Sequence, residues 1–333
     1  MKRLFYILFG ALLIAGCSHL TGPGEYSRTE PLMGTFVQVK VAAPGRSKAQ
    51  LKEAAQAALA LARRLEQRFS VFYPLSEVNA LNIAKTQKVS TELFDLIEKA
   101  NSISSETGGE FDITVAPILK ANGFYEDMPA EIRDKIPEGF GGVGWENVTL
   151  NLQERLVTLQ NGAWIDLSGI AKGYIVDRIA KFLKKKGITA CLINAGGDIY
   201  CGDKDRSGIW NIGVREPASM RVVIVLGIRD MAVATSGDYE NVVIDKDTGE
   251  AVSHIIDPSV DKARAEVPSS VTVIAPTCIV ADALATGMMA MGPGKAITLA
   301  DTLDNVEVIT LAYSGGKLKI DFSKGAEKYV VRR

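Results

Sequence analysis

The stretch Val148–Asp198, VTLNLQERLVTLQNGAWIDLSGIAKGYIVDRIAKFLKKKGITACLINAGGD, decides the fold class. Val148 to Leu152, Leu156 to Leu159 and Ala190 to Ile193 read as short strands, whereas Ile170 to Lys185 carries the longer apolar spacing of a helix. Further strands follow at Trp210 to Val214, Val222 to Leu226 and Ser270 to Ile274, with one more helix at Ile279 to Met291. Strand meanders broken by separate helices indicate α+β rather than a strictly alternating parallel sheet. Upstream, Met33 to Val41 alternates as a strand and Pro44-Gly45 ends it. Ser47 to Arg68 is an Ala/Leu/Arg-rich amphipathic helix with Ser47 and Gln50 placed as a capping box. A second helix spans Thr91 to Glu106 and stops at Gly108-Gly109. Ala121 to Gly144 is rich in Gly, Pro and charge and reads as a surface excursion. No linker, low-complexity tract or repeat divides this body.

The 333 residues are 47% hydrophobic, enough for a sizeable core. The 38 Lys and Arg nearly cancel the 39 Asp and Glu, so charge favours neither nucleic acid nor an acidic tail. At the N-terminus, Lys2 and Arg3 precede the apolar run Leu4 to Ala15, in the layout of an export signal. That run falls short of the roughly 20 apolar residues a membrane-spanning helix needs. Ile14-Ala15-Gly16-Cys17 resembles a bacterial lipobox, which makes Cys17 the expected lipidation site. The expected organisation is a signal peptide at 1–16, a lipid-anchored tether at 17–30 and one folded body at 31–333. The protein is thereby expected on a bacterial membrane with its body in the periplasm or otherwise outside the cytoplasm, and Ser18 leans towards the outer membrane. Cys191, Cys201 and Cys278 have no C-x-x-C spacing and read as buried free thiols.

Two histidines, His19 and His254, are the whole supply. A His-rich zinc site is excluded, and any histidine-dependent step in the body falls to His254. Neither a G-x-x-x-x-G-K-[ST] loop nor a G-x-G-x-x-G after a strand occurs. What remains are Gly/Asp clusters at the ends of apolar runs, including Gly108-Gly109-Glu110-Phe111-Asp112, Asp166-Leu167-Ser168-Gly169, Asn194-Ala195-Gly196-Gly197-Asp198 and Asp257-Pro258. Each alone is an ordinary turn. Jointly, glycines admit a phosphate close to the backbone and carboxylates hold a hard cation bridging it. Asp282 and Thr286, at i and i+4 on a helix, suit Mg²⁺, or else are a dipole-balancing aspartate beside an ordinary threonine. Lys172 at a helix start either meets an anion or is a solvated surface lysine.

In order along the chain, Met33-Gly34-Thr35, Phe69–Asn82 (FSVFYPLSEVNALN), Gly108–Pro117 (GGEFDITVAP), Asp166–Asp177 (DLSGIAKGYIVD), Asn194–Asp198 (NAGGD), Ala234–Tyr239 (ATSGDY), His254–Pro258 (HIIDP) and Asp282–Thr286 (DALAT) resemble the ApbE-type FAD:protein FMN transferases. The resemblance implies a T-fold-like α+β body of mixed sheets with packed helices. It implies FAD bound by Met33, Phe72, Glu110, Phe111, Asp112, Asp166, Lys172, His254 and Ile256, and Mg²⁺ held by Asp282, Thr286 and the carbonyls of Gly169 and Ala285. The implied reaction moves FMN from FAD to a Thr or Ser hydroxyl of an exported flavoprotein, forming a phosphoester and releasing AMP. His254, then Asp257, are the expected bases, and Lys172 adds a point charge. Two other readings stand beside it: a Mg²⁺-dependent FAD pyrophosphatase using water, and a lipoprotein that binds FAD without chemistry. Departures from the family pattern are Phe72 where tyrosine is common, Ser259-Val260 where Thr-Gly often follows, and Gly169 for alanine, the last expected to matter little.

Overall fold

The computed structural model describes residues 24–203, 208–237, 242–244, 251–253 and 269–333. In chain order these form β1 (Glu25–Leu32), β2 (Thr35–Ala42), α1 (Lys48–Phe69), α2 (Glu77–Ala84), β3 (Thr86–Lys88), α3 (Thr91–Glu106), α4 (Ala116–Ala121), α5 (Ala130–Arg133), β4 (Val148–Asn151), β5 (Leu156–Leu159), α6 (Ser168–Lys185), β6 (Ala190–Ala195), β7 (Asp198–Cys201), β8 (Trp210–Arg215), β9 (Val222–Ile228) and β10 (Met231–Gly237). There follow β11 (Val242–Ile244), β12 (Ala251–Ser253), β13 (Ser270–Ala275), α7 (Cys278–Met291), α8 (Pro293–Ala300), β14 (Glu307–Ser314), β15 (Lys317–Phe322) and β16 (Val330–Arg332). Cys17, His254, Ile256 and Asp257 lie outside the described residues, as do the export signal and the first part of the tether.

Eight strands make the central sheet in the order β1-β2-β6-β7-β10-β13-β14-β15, and each neighbouring pair is antiparallel. Within it β6 and β13 are buried at every position, because both faces are covered. Val271, Val273 and Ala275 face the core shared with the helices. Ile274 instead joins a second core with Ile212, Leu226 and Ile228 of the small β16-β9-β8 sheet. Period-two alternation therefore sorts apolar residues between two cores rather than between core and water. The α+β reading holds as three layers: helices, central sheet and small sheet.

Helices α1, α2 and α3 begin where serine side chains cap them. Ser47 and Gln50 make the expected reciprocal box on α1, and Ser90 accepts from Leu93 N at the start of α3. Down the inner side of α6, Ile170, Tyr174, Ile175, Val176, Ile179 and Leu183 are buried, each such side chain contributing roughly 1.5–3 kcal/mol. Cys191, Cys201 and Cys278 are free and buried, as composition suggested.

Three sequence expectations are corrected. Residues 25–30, expected in the tether, belong to β1, where Arg28 and Val39 and the other pairs through Leu32 and Thr35 are in register with β2. The strand expected to start at Met33 starts at Thr35, because Met33 and Gly34, with φ of 56° and 67°, form the two-residue turn joining β1 to β2. Positive φ at both central positions gives the twist a tight hairpin needs. The excursion at 121–144 is partly core: Tyr125, Met128, Ile132 and Ile136 are buried. Its Gly, Pro and charged residues masked four apolar anchors that recur at intervals of three and four residues.

Helices α6 and α7 meet at unusually short range across Gly173. A Cβ there would lie 2.7 Å from the carbonyl carbon of Cys278 and 2.8 Å from Cβ of Asp282. In a free helix Gly→Ala gains about 1 kcal/mol. Here Gly173→Ala is expected to lower unfolding stability by about 1–3 kcal/mol through overpacking, while Gly139→Ala, facing open space, is expected to be neutral or slightly stabilising. Urea midpoints of both variants check the pair; a stabilised Gly173→Ala would contradict the packing.

Candidate functional site

The site grows from the first two turns of α6. Asp166, just ahead of the helix, is 6% exposed, and its Oδ1 accepts from Ser168 N at 2.7 Å, satisfying one of the helix's unpaired donors. Its other oxygen accepts from the buried Tyr125 hydroxyl at 2.5 Å. Burial, together with the adjacent carboxylate, holds that phenol well above its usual pKa, so it serves as a donor. The edge of Tyr125 also meets Phe72, with ring centroids 6.1 Å apart and planes at 74°. Phe72 keeps 43% of its surface exposed, an aromatic face open at the rim.

One turn further along α6, Gly169 faces Phe111 and Thr286. A Cβ at Gly169 would sit 3.3 Å from a Phe111 ring carbon and 3.4 Å from the Thr286 methyl. The glycine is thus tighter than expected, since an alanine methyl would press on two site residues. Four residues on, Gly173 N donates to Asp282 Oδ2 at 2.8 Å. Gly169 opposite Thr286 and Gly173 opposite Asp282 set an i, i+4 pair on α6 against an i, i+4 pair on α7, running antiparallel.

Lys172 lies between these glycines. Its ammonium contacts Asp198 Oδ2 directly and stands 3.5 Å from Asp282 Oδ1. Asp198 opens β7 after the Gly196-Gly197 turn, whose φ of 66° and 111° leave only glycine comfortable. A Cβ on Gly196 would also strike the Thr35 side chain, so the β6–β7 turn nests against Met33-Gly34-Thr35. Met33 is fixed in turn by its N–H, which donates to Glu66 Oε1 at 2.8 Å.

Asp282 is not the dipole-balancing aspartate that sequence allowed. It occupies the second turn of α7, and the carboxylate that meets the helix start is Asp177 of α6, accepting from Cys278 N at 2.8 Å and Ile279 N at 2.9 Å. Nor is Lys172 a solvated surface lysine. Glu110 sits 3.8 Å from Lys295 and lines a groove of about 650 Å³ with Met291 and Thr298. Phe111 is buried, and Asp112 spends one oxygen on the N–H and hydroxyl of Thr114, both at 2.7 Å. Burial pushes the Asp112 carboxyl up despite those bonds.

This arrangement joins six of the quoted motifs at one end of α6. The ApbE family's sequence profile matches residues 33–310. The chain belongs to the ApbE family. It is 30% identical over 308 residues to the FAD:protein FMN transferase of Escherichia coli (strain K12), covering 87% of each protein. To the FAD:protein FMN transferase of Vibrio cholerae it is 30% identical over 325 residues, covering 90% of this chain and 91% of the relative. Its fold superposes on the crystal structure of the ApbE protein from Thermotoga maritima with a TM-score of 0.79 at 30% identity, covering 92% and 99% of the two chains. The flavin transferase ApbE from V. cholerae gives 0.76 at 27% identity, covering 92% and 100%.

For an ApbE family chain a divalent cation is the implied resident group, and the α6–α7 seam can be tested for it. The Asp282 carboxylate and the Thr286 hydroxyl at the seam are oxygen donors, the choice of a hard cation such as Mg²⁺. Burial raises the Asp282 carboxyl pKa, Asp198 raises it further and Lys172 opposes both. Two buried carboxylates sharing one ammonium are short of positive charge, so the residues fit the ion. Among the described residues no three His, Cys, Asp or Glu side chains gather as a metal centre, so hydroxyl, carbonyl and substrate oxygens would complete the shell.

Sequence reasoning missed three contributors. Asp198 was visible within NAGGD and Asp177 within DLSGIAKGYIVD, but neither spacing names its partner; Tyr125 carried no signal at all. Asp177 generates a pH prediction. Burial raises its pKa to about 6, against about 4 for an ordinary aspartate. The folded state therefore keeps a proton that the unfolded chain releases, and this stabilisation is present below about pH 4 and lost as pH rises through about 6. Asp177→Asn, neutral throughout and retaining one acceptor, is expected to gain on the wild type by up to about 2–3 kcal/mol between pH 4 and 7. Urea unfolding across that range checks it; a constant difference would contradict the assignment.

Proposed function

We propose that this chain is a lipid-anchored FAD:protein FMN transferase acting outside the cytoplasm, with Mg²⁺ as its metal and a Thr or Ser hydroxyl of an exported flavoprotein as acceptor. Family membership supports the reaction class. The observation that carries the site is the single ammonium of Lys172 set between two buried carboxylates, on the same helix as Gly169, which faces Thr286. A diphosphate is the substrate group such a place suits, since its oxygens complete a hard cation's shell and accept from Lys172. Tyr125 keeps Asp166 oriented as an acceptor towards donor groups of the dinucleotide, and Phe72 offers an open aromatic face for stacking.

In the proposed reaction the acceptor oxygen attacks the FMN-side phosphorus of FAD, and the bond from that phosphorus to the bridging oxygen breaks. FMN becomes joined to the protein through a phosphoester, and AMP leaves with the bridging oxygen. The acceptor's proton goes to His254 or, second in order, Asp257. Lys172 stabilises the charge that builds on the phosphoryl oxygens. Bound Mg²⁺ would neutralise diphosphate charge, held by Asp282, Thr286 and the carbonyls of Gly169 and Ala285. Export and lipidation at Cys17 rest on the pattern Ile14-Ala15-Gly16-Cys17 behind Lys2 and Arg3.

Incubation with FAD, Mg²⁺ and candidate exported flavoproteins, followed by intact-mass measurement, tests the reading. A covalent FMN mass gain on the acceptor is expected; FMN and AMP released without it would favour the pyrophosphatase. Asp282→Ala is expected to cut transfer by about 100-fold or more, equivalent to several kcal/mol. Undiminished flavinylation by that variant would defeat the metal assignment, and single-turnover transfer at the wild-type rate by His254→Ala would remove His254 as the base.

A further inference from the structure

We infer that Asp198 is a positioning residue that takes the shorter contact of the Lys172 ammonium, so that Lys172 keeps only a longer ion pair with Asp282 Oδ1, which a divalent cation can displace; this rests on the cation reading above. Three observations carry it. Asp198 and Asp282 are buried to the same degree, each side chain 4% exposed, yet Lys172 makes its direct contact with Asp198 and stands 3.5 Å from Asp282 Oδ1. Asp282 is anchored through its other oxygen to Gly173 N, which presents Oδ1 on the Lys172 side. Asp198 is held by the Gly196-Gly197 turn, the Ala195 and Asp198 pairing, and the Gly197 N–H donated to Asn194 Oδ1 at 2.9 Å.

The consequence is electrostatic competition. A lysine three residues along α6 from the seam's first glycine reaches Asp282 by small rotations of its flexible stem. Without a second carboxylate it would shorten that 3.5 Å ion pair to a direct contact and act as an internal substitute for the metal. Asp198 offers a fixed alternative, so the ammonium stays near the diphosphate position while the cation ligand stays available. Asp198 touches neither metal nor reacting atoms in this account; it acts through Lys172.

A double-mutant cycle read by Mn²⁺ binding, followed by electron paramagnetic resonance on the full folded body, tests this without turnover. Asp198→Asn is expected to weaken Mn²⁺ binding at least about tenfold. The decisive quantity is the gain on adding Lys172→Met. If Asp198 acted only as a distant negative charge, that gain would be equal in the wild-type and Asp198→Asn backgrounds. Positioning predicts a gain at least about tenfold larger in Asp198→Asn, where the lysine blocks Asp282. Equal gains overturn the inference. Absence of Mn²⁺ binding to the wild type would instead overturn the cation reading itself. Should Asp198→Asn melt at a much lower temperature than the wild type, Asp198→Ser removes the same charge and reads the same coupling.

Discussion

Two glycines one turn apart on α6, Gly169 and Gly173, govern how near α7 can come, and the site depends on that distance. At Gly173 the helices approach until only a hydrogen fits against the Cys278 carbonyl and Asp282 Cβ. The close approach brings Gly173 N within 2.8 Å of the Asp282 carboxylate. Gly173 is the sixth residue of α6, past the first four N–H groups that a helix leaves spare, so this donation to Asp282 is made from within the helix. The reciprocal bond runs the other way, with Asp177 of α6 meeting the first N–H groups of α7. Each helix thus supplies a carboxylate for the other's donors, and the antiparallel pair is locked in register.

That lock converts sequence spacing into geometry. Asp282 and Thr286 share a face of α7 whatever the fold, but only register with α6 sets them against Gly169, Lys172 and Gly173. The turn motifs then arrive through the sheet. Pairing of Val37 with Ala195 puts the β1–β2 turn beside the β6–β7 turn, and so places Met33-Gly34-Thr35 next to Gly196 and Asp198 beside Lys172. Carboxylates from two layers converge on one ammonium because one sits on a hairpin at the sheet's end and the other on the helix packed over it.

Legibility in the sequence followed period and capping. α1, with its Ser47 box, and α3, ending before Gly108-Gly109, are found where the pattern predicts, as are β5, β8 and β13 to within a residue or two. β1 was hidden because Glu25–Leu32 alternates between intermediate and exposed positions on an edge strand, with a polar composition suited equally to a tether. Tyr125 was hidden because nothing local distinguishes a tyrosine that reaches a carboxylate 41 residues away. The individual site residues Asp166, Lys172, Asp282 and Thr286 were legible as motif members. Their mutual contacts were not, since those are set by packing across glycines rather than by any repeat. His254 and Asp257, the expected bases, belong to a stretch beyond the described residues.

Whether the α6–α7 seam itself forms the oxygen-lined cation place is read most directly by anomalous diffraction from crystals of the protein soaked in Mn²⁺. One strong peak is expected against Asp282 Oδ1 and Thr286 Oγ1, with Lys172 still in direct contact with Asp198. A peak seated elsewhere, with none at the seam, would show that the cation is held by other residues.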